Sequence, residues 1–246
     1  MLRRTLLIAV AVAVAVVGAG SAAPAEKAQL TVYAAASLTN VFPQIDKAQR
    51  YSFGGSNTLA AQIQQGAPAD VFASANMTLP AGLYAKKLCS KPVVFTRNTL
   101  VIVVPKSNPA NLRSVYDLAR KGVKLVIAGP GVPVGSYTLQ VLKNMNLSAK
   151  VLPNVVSRET DVREVLAKVA LGEADAGFVY ATDAKVDAGK VKVLKVPAWA
   201  QPKVQYGICI VSSSTHKADA RQFVSKVLSK AGQAKLRAAG FLPRKK

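Results

Sequence analysis

The sequence is poor in the residues that most enzymes use to do chemistry. Its 246 residues include one histidine, His216, and two cysteines, Cys89 and Cys209. A Ser–His relay needs a histidine beside its nucleophile, and a zinc site needs several Cys, His or carboxylate ligands. His216 lies in a polar stretch that predicts an exposed side chain, and the sequence has no Gly-x-Ser-x-Gly motif. We therefore expect a protein that is not an enzyme, with an exported hydrolase as the disfavoured alternative.

Acidic residues are also scarce, with 12 Asp and Glu against 33 Lys and Arg, which gives a formal net charge of +21. Such a charge favours nucleic-acid binding. The basic residues are scattered, however, and aromatic residues make up only 6% of the chain, so we expect no nucleic-acid partner. A positive field speeds the capture of small anions and favours contact with anionic surfaces. A charge-driven surface-binding module therefore stays open as an alternative.

Long apolar runs are absent beyond the N-terminus. Residues 6–17 are an unbroken apolar run, preceded by Arg3 and Arg4 and followed by the small-residue stretch Ala23-Pro24-Ala25. A membrane span needs about 20 apolar residues, whereas this pattern is typical of a secretory signal. We predict that residues 1–25 are a signal peptide and that the protein works in the periplasm or another extracytoplasmic space. An uncleaved signal would instead tether it to the membrane.

The two cysteines permit two interpretations in such a compartment. A disulfide between Cys89 and Cys209 is allowed where the environment is oxidising. Two buried thiols that pack as small apolar side chains are equally compatible with the sequence. The apolar run at the N-terminus has no cysteine behind it, so we expect no lipid-modified N-terminus.

From residue 29 onward, short apolar runs alternate with amphipathic segments, as is typical of α/β proteins. Strands are predicted at residues 30–36, 51–53, 70–75, 93–105, 124–128, 176–180, 190–196 and 204–212. Helices are predicted at residues 38–48, 56–65, 79–88, 114–120, 135–145, 161–171 and 217–239. The long β-rich stretches bracket a middle block with its own βαβ pattern. We therefore predict lobe one over residues 29–104, lobe two over 105–204 and a return to lobe one over 205–246, with two crossing strands as a hinge.

Three strand-to-helix junctions share one chemistry, at residues 34–38, 53–58 and 129–136. Each combines Gly or Ala residues with a hydroxyl at a helix start and has neither a carboxylate nor an arginine. Helix N-termini present free N–H groups and a partial positive charge, and small residues let a ligand approach the backbone. Such a site suits a deprotonated oxyanion, which only accepts hydrogen bonds. Serine is also a preferred N-cap, so Ser37 and Ser56 as simple caps remain an alternative.

These junctions carry a family resemblance that covers most of residues 30–243. The matching motifs are VYAAASLT at 32–39, FGGSNTLAAQI at 53–63, GAPADVFASA at 66–75 and GEADAGFVYATD at 172–183. In this order and spacing they resemble the periplasmic molybdate-binding proteins of molybdate ABC importers. The resemblance implies a two-lobed α/β type II periplasmic-binding-protein fold. In this fold each lobe is a mixed, mostly parallel sheet flanked by helices, and the lobes close over a tetrahedral oxyanion.

The resemblance also implies a set of ligand-binding groups. In lobe one, the ligand would accept hydrogen bonds from the hydroxyls and amides of Ser37 and Ser56. In lobe two, it would accept them from the amides of Val134 and Val162 and from the hydroxyl of Tyr180. Molybdate or tungstate would be held through these groups with no direct metal ligand and no cofactor. The expected partners are this small oxyanion and the membrane permease of an ABC importer, and we expect a monomer.

Several points stay open at this level. Sulfate is also an acceptor-only dianion, and a sequence pattern cannot measure a cavity. Tyr180 could be a packing aromatic, and a cleft-facing Asp161 would repel an anion, although Asp161 and Glu164 fit a capping-box-like helix start. Residues 39–51 are shorter than the family segment, which predicts a clipped first helix. The high basicity is also unlike the usual family member.

Overall fold

The computed structural model describes residues 28–244, which contain ten strands in two five-stranded sheets. The first sheet has the order β2-β1-β3-β10-β4. Its strands are β1 Thr31–Ala35, β2 Arg50–Gly54, β3 Val71–Ser74, β4 Val93–Asn98 and β10 Val204–Ile210. Strand β1 is parallel to β2 and β3, whereas β10 is antiparallel to β3 and β4. Four of the five strands therefore run in one direction.

The second sheet repeats this arrangement, with the order β7-β6-β8-β5-β9. Its strands are β5 Leu100–Pro105, β6 Leu125–Ala128, β7 Val155–Glu159, β8 Ala176–Tyr180 and β9 Val191–Lys195. Strand β6 is parallel to β7 and β8, and β5 is antiparallel to β8 and β9. The predicted pair of mixed, mostly parallel sheets is confirmed.

Helices flank both sheets. The α-helices are α1 Phe42–Ile45, α2 Ser56–Gln64, α3 Thr78–Ala85, α4 Pro133–Asn144, α5 Ser148–Val151, α6 Val162–Ala170, α7 Ala181–Val186, α8 Lys217–Leu228 and α9 Lys230–Ala238. Short 3-10 helices lie at Ala36–Leu38, Val115–Ala119, Leu152–Asn154 and Ala198–Ala200. Helices α4 and α6 bury apolar faces against the second sheet, because Val141, Leu142, Val165 and Val169 are almost completely inaccessible to solvent.

The chain changes sheets at two short links. The first link is Thr99, between β4 and β5, and the second joins β9 to β10 over residues 196–203. Residues 100–104 therefore lie in the second sheet, although the sequence analysis placed them in lobe one. The apolar run from 100 to 104 continues the β-forming pattern of 93–96, so local composition does not mark the change. Hydrogen bonding of β5 to β8 and β9 decides it.

Two local predictions also need correction, and one strand was missed. The helix predicted over 38–48 is only a 3-10 turn followed by the four-residue helix α1. The helix predicted over 217–239 is broken at Ser229, whose hydroxyl accepts from the Gly232 amide at 3.1 Å and starts α9. Strand β7 was not predicted, because it is an edge strand with alternating exposed residues and a polar end.

The remaining predictions have mixed outcomes. Cys89 and Cys209 are free, buried thiols, and His216 is exposed just before α8. Within residues 28–244, no helix has the length and apolarity that crossing a membrane requires. The predicted signal peptide at residues 1–25 lies outside the described residues.

Candidate functional site

The five predicted site residues line one cleft between the two sheets. Ser37 and Ser56 follow β1 and β2 of the first sheet, Val134 and Val162 follow β6 and β7 of the second, and Tyr180 is the last residue of β8. Carboxyl ends of parallel strands are where open α/β sheets bind ligands. The cavity volume in the cleft is about 10 Å³. A cavity of about 10–15 Å³ has room for the centre of one water-sized molecule, so this cleft suits a very small solute.

The serine hydroxyls from the first sheet are buried and held by hydrogen bonds. Ser56 Oγ accepts from the Ala75 amide at 3.1 Å. Ser37 Oγ lies 2.9 Å from the hydroxyl oxygen of Tyr206. Because Ser56 Oγ already accepts from a backbone N–H, its own proton remains free to donate into the cleft.

The alternative that these serines are helix caps is wrong. Ala35 holds the N-cap position of the 3-10 helix that contains Ser37, and Gly55 holds the N-cap position of α2. Ser37 and Ser56 therefore lie inside the first turn of their helices, where backbone N–H groups have no intrahelical acceptor. Both serines line the cleft with first-turn amides of this kind.

The second sheet contributes backbone amides at two helix starts. Val134 is the second residue of α4, after Pro133, and Val162 is the first residue of α6. The Asp161 carboxylate caps α6 by accepting from the amides of Arg163 at 2.6 Å and Glu164 at 3.2 Å. The predicted cap role of Asp161 is confirmed, although this residue also lines the cleft. Asp161 does not accept from the Val162 N–H, which has no hydrogen-bond partner in the described part of the chain.

Tyr180 brings a buried hydroxyl that lacks a hydrogen-bond partner among residues 28–244. The side chain is only 1% exposed, and burial raises the pKa of its phenol well above the usual value. Tyr180 is therefore a neutral O–H donor at any physiological pH. Leaving such a group unsatisfied costs about 1–3 kcal/mol. An acceptor in the cleft would remove that cost.

The two sheets approach each other closely at Gly55. A Cβ atom on Gly55 would lie 2.3 Å from the carbonyl oxygen of Thr160, on the other side of the cleft. Glycine at this position therefore lets the segment before α2 pack against the segment before α6. Small residues at this junction serve contact between the lobes, and not only the approach of a ligand.

A second contact between the lobes involves Arg163, which follows Val162 in α6. Arg163 Nε lies 2.7 Å from the carboxylate of Asp183, a residue that is completely buried. Arg163 Nη2 also donates to Asn40 Oδ1 at 2.8 Å, across the cleft. Burial raises the pKa of Asp183 to about 6, and the neighbouring Arg163 opposes this shift. The arginine is thus held by one lobe and reaches the other.

The cleft is lined by no lysine or arginine within residues 28–244. Its polar groups are hydroxyls and helix N-terminal amides, with the capping carboxylate of Asp161 beside them. Negative charge in this cleft would be stabilised by neutral dipoles, as at other helix N-termini. The same described residues hold no cluster of His, Cys, Asp and Glu able to bind a metal ion. The chemistry that the site can perform is the binding of an acceptor-rich anion.

The sequence analysis missed four residues that surround this site. Asn40 and Arg163 join the lobes, Asp183 holds Arg163, and Tyr206 contacts Ser37. Asn40, Arg163 and Asp183 are common polar residues in helical or turn segments, and Tyr206 lies in the mostly buried strand β10. The complete burial of Asp183 in the short helix α7 is visible only from the structure.

Comparisons with known proteins are consistent over nearly the whole chain. A family model described as bacterial extracellular solute-binding protein matches residues 14–242. The molybdate-binding protein ModA of Mycobacterium tuberculosis is 39% identical over 222 residues, which cover 86% of this chain and 84% of that protein. Among solved structures, the periplasmic molybdate-binding protein of Azotobacter vinelandii has a TM-score of 0.78 at 25% identity, covering 87% of this chain and 99% of that chain.

A further solved structure shares the fold at lower sequence identity. The sulfate-binding protein SubI of Mycobacterium tuberculosis has a TM-score of 0.75 at 21% identity, and the match covers 87% of this chain and 86% of that chain. Proteins of this architecture therefore include one described as molybdate-binding and one described as sulfate-binding.

Proposed function

This chain belongs to the bacterial extracellular solute-binding proteins, and from that premise we propose that it captures molybdate or tungstate outside the cytoplasmic membrane and delivers it to the permease of an ABC importer. It acts as a binding protein with no catalytic step of its own. Transport energy comes from the importer, and the protein contributes capture and release.

The single observation that carries this proposal is the buried hydroxyl of Tyr180, a residue that lines the cleft and whose hydroxyl has no hydrogen-bond partner among the described residues. The neighbouring groups are of the same kind. Ser37 and Ser56 offer hydroxyls and first-turn amides, and Val134 and Val162 offer amides at helix starts. An anion that only accepts hydrogen bonds can satisfy all of these donors together, whereas a sugar or an amino acid would bring donors of its own.

The donors come from both lobes, which links binding to closure. A ligand that contacts Ser37 and Ser56 on one side and Val134, Val162 and Tyr180 on the other makes its full set of bonds only in the closed state. It therefore shifts the population toward that state by its differential affinity. The close contact between Gly55 and Thr160 supports closure as the bound geometry of this protein.

Molybdate and tungstate are preferred over sulfate because of the named relatives. The relative with 39% identity and the Azotobacter structure both carry molybdate in their names. Sulfate is the second candidate, because the fold of a sulfate-binding protein is also similar and sulfate has the same acceptor-only chemistry. Molybdate and tungstate differ from sulfate in size, and hydrogen-bond donors alone do not discriminate between anions by size.

Calorimetric titration of the purified, dialysed protein with molybdate, tungstate, sulfate and hydrogen phosphate in parallel tests the proposal. We expect one site per chain, with molybdate or tungstate bound at least about tenfold more tightly than sulfate, a difference of about 1.4 kcal/mol. Thermal unfolding with each anion provides a second measurement, because saturation at 100 times Kd adds about 2.7 kcal/mol of stability. Tight binding of sulfate alone, or of none of the four anions, would refute the proposal.

A further inference from the structure

Tyr206 is a buried residue of β10 that lies behind the cleft and contributes nothing to its lining. It is completely inaccessible to solvent, and its hydroxyl lies 2.9 Å from Ser37 Oγ. The rings of Phe95, Tyr180 and Phe241 pack against its ring edge to face, with centroids 6.0, 5.6 and 5.5 Å away. The Tyr206 hydroxyl is therefore held in one place, directly behind a proposed donor to the ligand.

A neighbouring amide bears on the direction of the hydrogen bond between Tyr206 and Ser37, in which either hydroxyl fits as the donor by distance alone. The Thr99 N–H donates to Asn98 Oδ1 at 2.9 Å, which turns Asn98 Nδ2 the other way. Nδ2 donates to Thr182 Oγ1 at 2.9 Å and lies 3.5 Å from the Tyr206 hydroxyl. Since an amide N–H can only donate, the Tyr206 oxygen faces a donor on that side. This arrangement favours the Tyr206 proton pointing at Ser37 Oγ, which lies 2.9 Å away.

We propose that Tyr206 is a positioning residue that holds Ser37 as a hydrogen-bond donor toward the cleft, so that the site selects oxyanions without a proton of their own. Ser37 Oγ accepts from Tyr206, which leaves its own hydrogen to point at the ligand. If an anion placed an O–H group at this position, that group and the Ser37 hydroxyl would both be donors and could not pair. An unpaired polar group in a buried site is strongly disfavoured. This inference rests on the proposed function and concerns the selectivity of the same site.

The variant Tyr206→Phe keeps the packed ring and removes the hydroxyl, which allows Ser37 to rotate. Titrations with molybdate and with hydrogen phosphate at constant ionic strength measure the effect. We expect molybdate affinity to fall about tenfold while hydrogen phosphate affinity does not fall, so that the selectivity ratio drops by about the same factor. A purely structural role would weaken both anions equally, and that result would overturn the proposal.

A matched control is Tyr51→Phe in the same lobe. The Tyr51 hydroxyl donates to the carbonyl oxygens of Phe42 and Asp46 and has no contact with the cleft lining. We expect this variant to bind both anions as the unmodified protein does. An equal loss of selectivity in Tyr51→Phe would show that any buried tyrosine hydroxyl of this lobe matters, and would argue against a specific role for Tyr206.

A double-mutant cycle with Ser37→Ala decides the mechanism, including the case in which hydrogen phosphate binds too weakly to measure. If Tyr206 acts through Ser37, Tyr206→Phe has no further effect on molybdate affinity once Ser37 is alanine. Additive losses would overturn the proposal. If Tyr206→Phe does not fold, Asn98→Ala takes its place in the cycle, because it removes the amide that orients the Tyr206 hydroxyl. An unmodified protein that binds no molybdate refutes the proposed function, whereas normal binding in all Tyr206 variants refutes only this inference.

Discussion

The two lobes supply the cleft with donors of different kinds. The first lobe presents side-chain hydroxyls that are tied to the protein behind them, Ser56 through the Ala75 amide and Ser37 through Tyr206. The second lobe presents backbone amides at helix starts and the hydroxyl of Tyr180, which has no partner within the described residues. One lobe is therefore organised before a ligand arrives, and the other carries donors that only a ligand satisfies.

This difference shows how the protein separates stability from binding. Hydrogen bonds within the first lobe contribute to the fold whether or not the cleft is filled. The Tyr180 hydroxyl has no hydrogen-bond partner within residues 28–244, so its burial costs stability that a ligand in the cleft would restore. The predictions below test this division, beginning at the place where the lobes meet.

The largest effect is expected for Gly55→Ala. The added methyl group would meet the Thr160 carbonyl at 2.3 Å in the closed state, although the backbone angles of Gly55, φ −60° and ψ 127°, suit alanine. We expect molybdate affinity to fall by about 100-fold, because overpacking at a rigid contact costs up to about 3 kcal/mol. Calorimetry measures the affinity, and small-angle scattering with saturating molybdate reports whether the lobes still close.

Gly82→Ala is the control for this variant. Gly82 lies in α3 and is not among the residues that line the cleft, and outside its own helix none of the described residues lies within 4 Å of where its Cβ would be. We expect unchanged affinity and a gain in stability of about 0.5–1 kcal/mol, because alanine is the better helix former. If Gly55→Ala bound molybdate as well as Gly82→Ala does, closure at this contact would not be needed for binding.

The next largest effects on molybdate affinity are expected for Tyr180→Phe and Ser56→Ala, which should differ in their effect on stability. Each variant loses one donor to a charged ligand, so each should lower molybdate affinity by about 10- to 100-fold. Their effects on the ligand-free protein should differ. Ser56→Ala leaves the Ala75 amide without its acceptor and should lower the free energy of unfolding by about 1–3 kcal/mol. Tyr180→Phe removes a hydroxyl that has no partner in the described part of the chain and should leave the free energy of unfolding unchanged or higher.

Chemical denaturation without ligand, together with calorimetry, measures both quantities. A ligand-free Tyr180→Phe protein that is less stable than Ser56→Ala would contradict the proposed division between the lobes. It would indicate that Tyr180 is a packing residue with a structural hydrogen bond.

The smallest effect is expected for Asn40→Ala. The hydrogen bond from Arg163 to Asn40 exists only when the lobes are together, and it lies at the exposed rim. We expect its loss to speed molybdate dissociation by about 2- to 10-fold with little change in the association rate, as for a contact worth about 0.5–1.5 kcal/mol. Stopped-flow fluorescence of Trp199, which lies on the second link between the sheets, is a suitable measurement.

The matched control for this rim contact is Gln29→Ala. Gln29 also accepts a hydrogen bond from an exposed arginine, Arg50, but both residues belong to the first lobe. Its loss should leave the dissociation rate unchanged. Equal dissociation rates for the Asn40 and Gln29 variants would show that the Arg163 contact does not hold the lobes closed.

The sequence alone determined the order of most strands and helices and the chemistry of their junctions. These features depend on local pattern, because apolar runs, small residues and helix starts act over a few neighbouring positions. The cap role of Asp161 is local in the same sense, since the carboxylate reaches amides two and three residues further on. The roles of Ser37, Ser56, Val134, Val162 and Tyr180 as ligand donors remain predictions.

Only the tertiary structure decided where the chain changes sheets and which residues surround the donors. Residues 93–105 look like one β-rich run, and the change at Thr99 depends on which distant strands pair with each half. The contact of Ser37 with Tyr206 spans 169 residues, and that of Asn40 with Arg163 spans 123. Contacts at such separations depend on how the whole chain packs, so a local sequence pattern does not predict them.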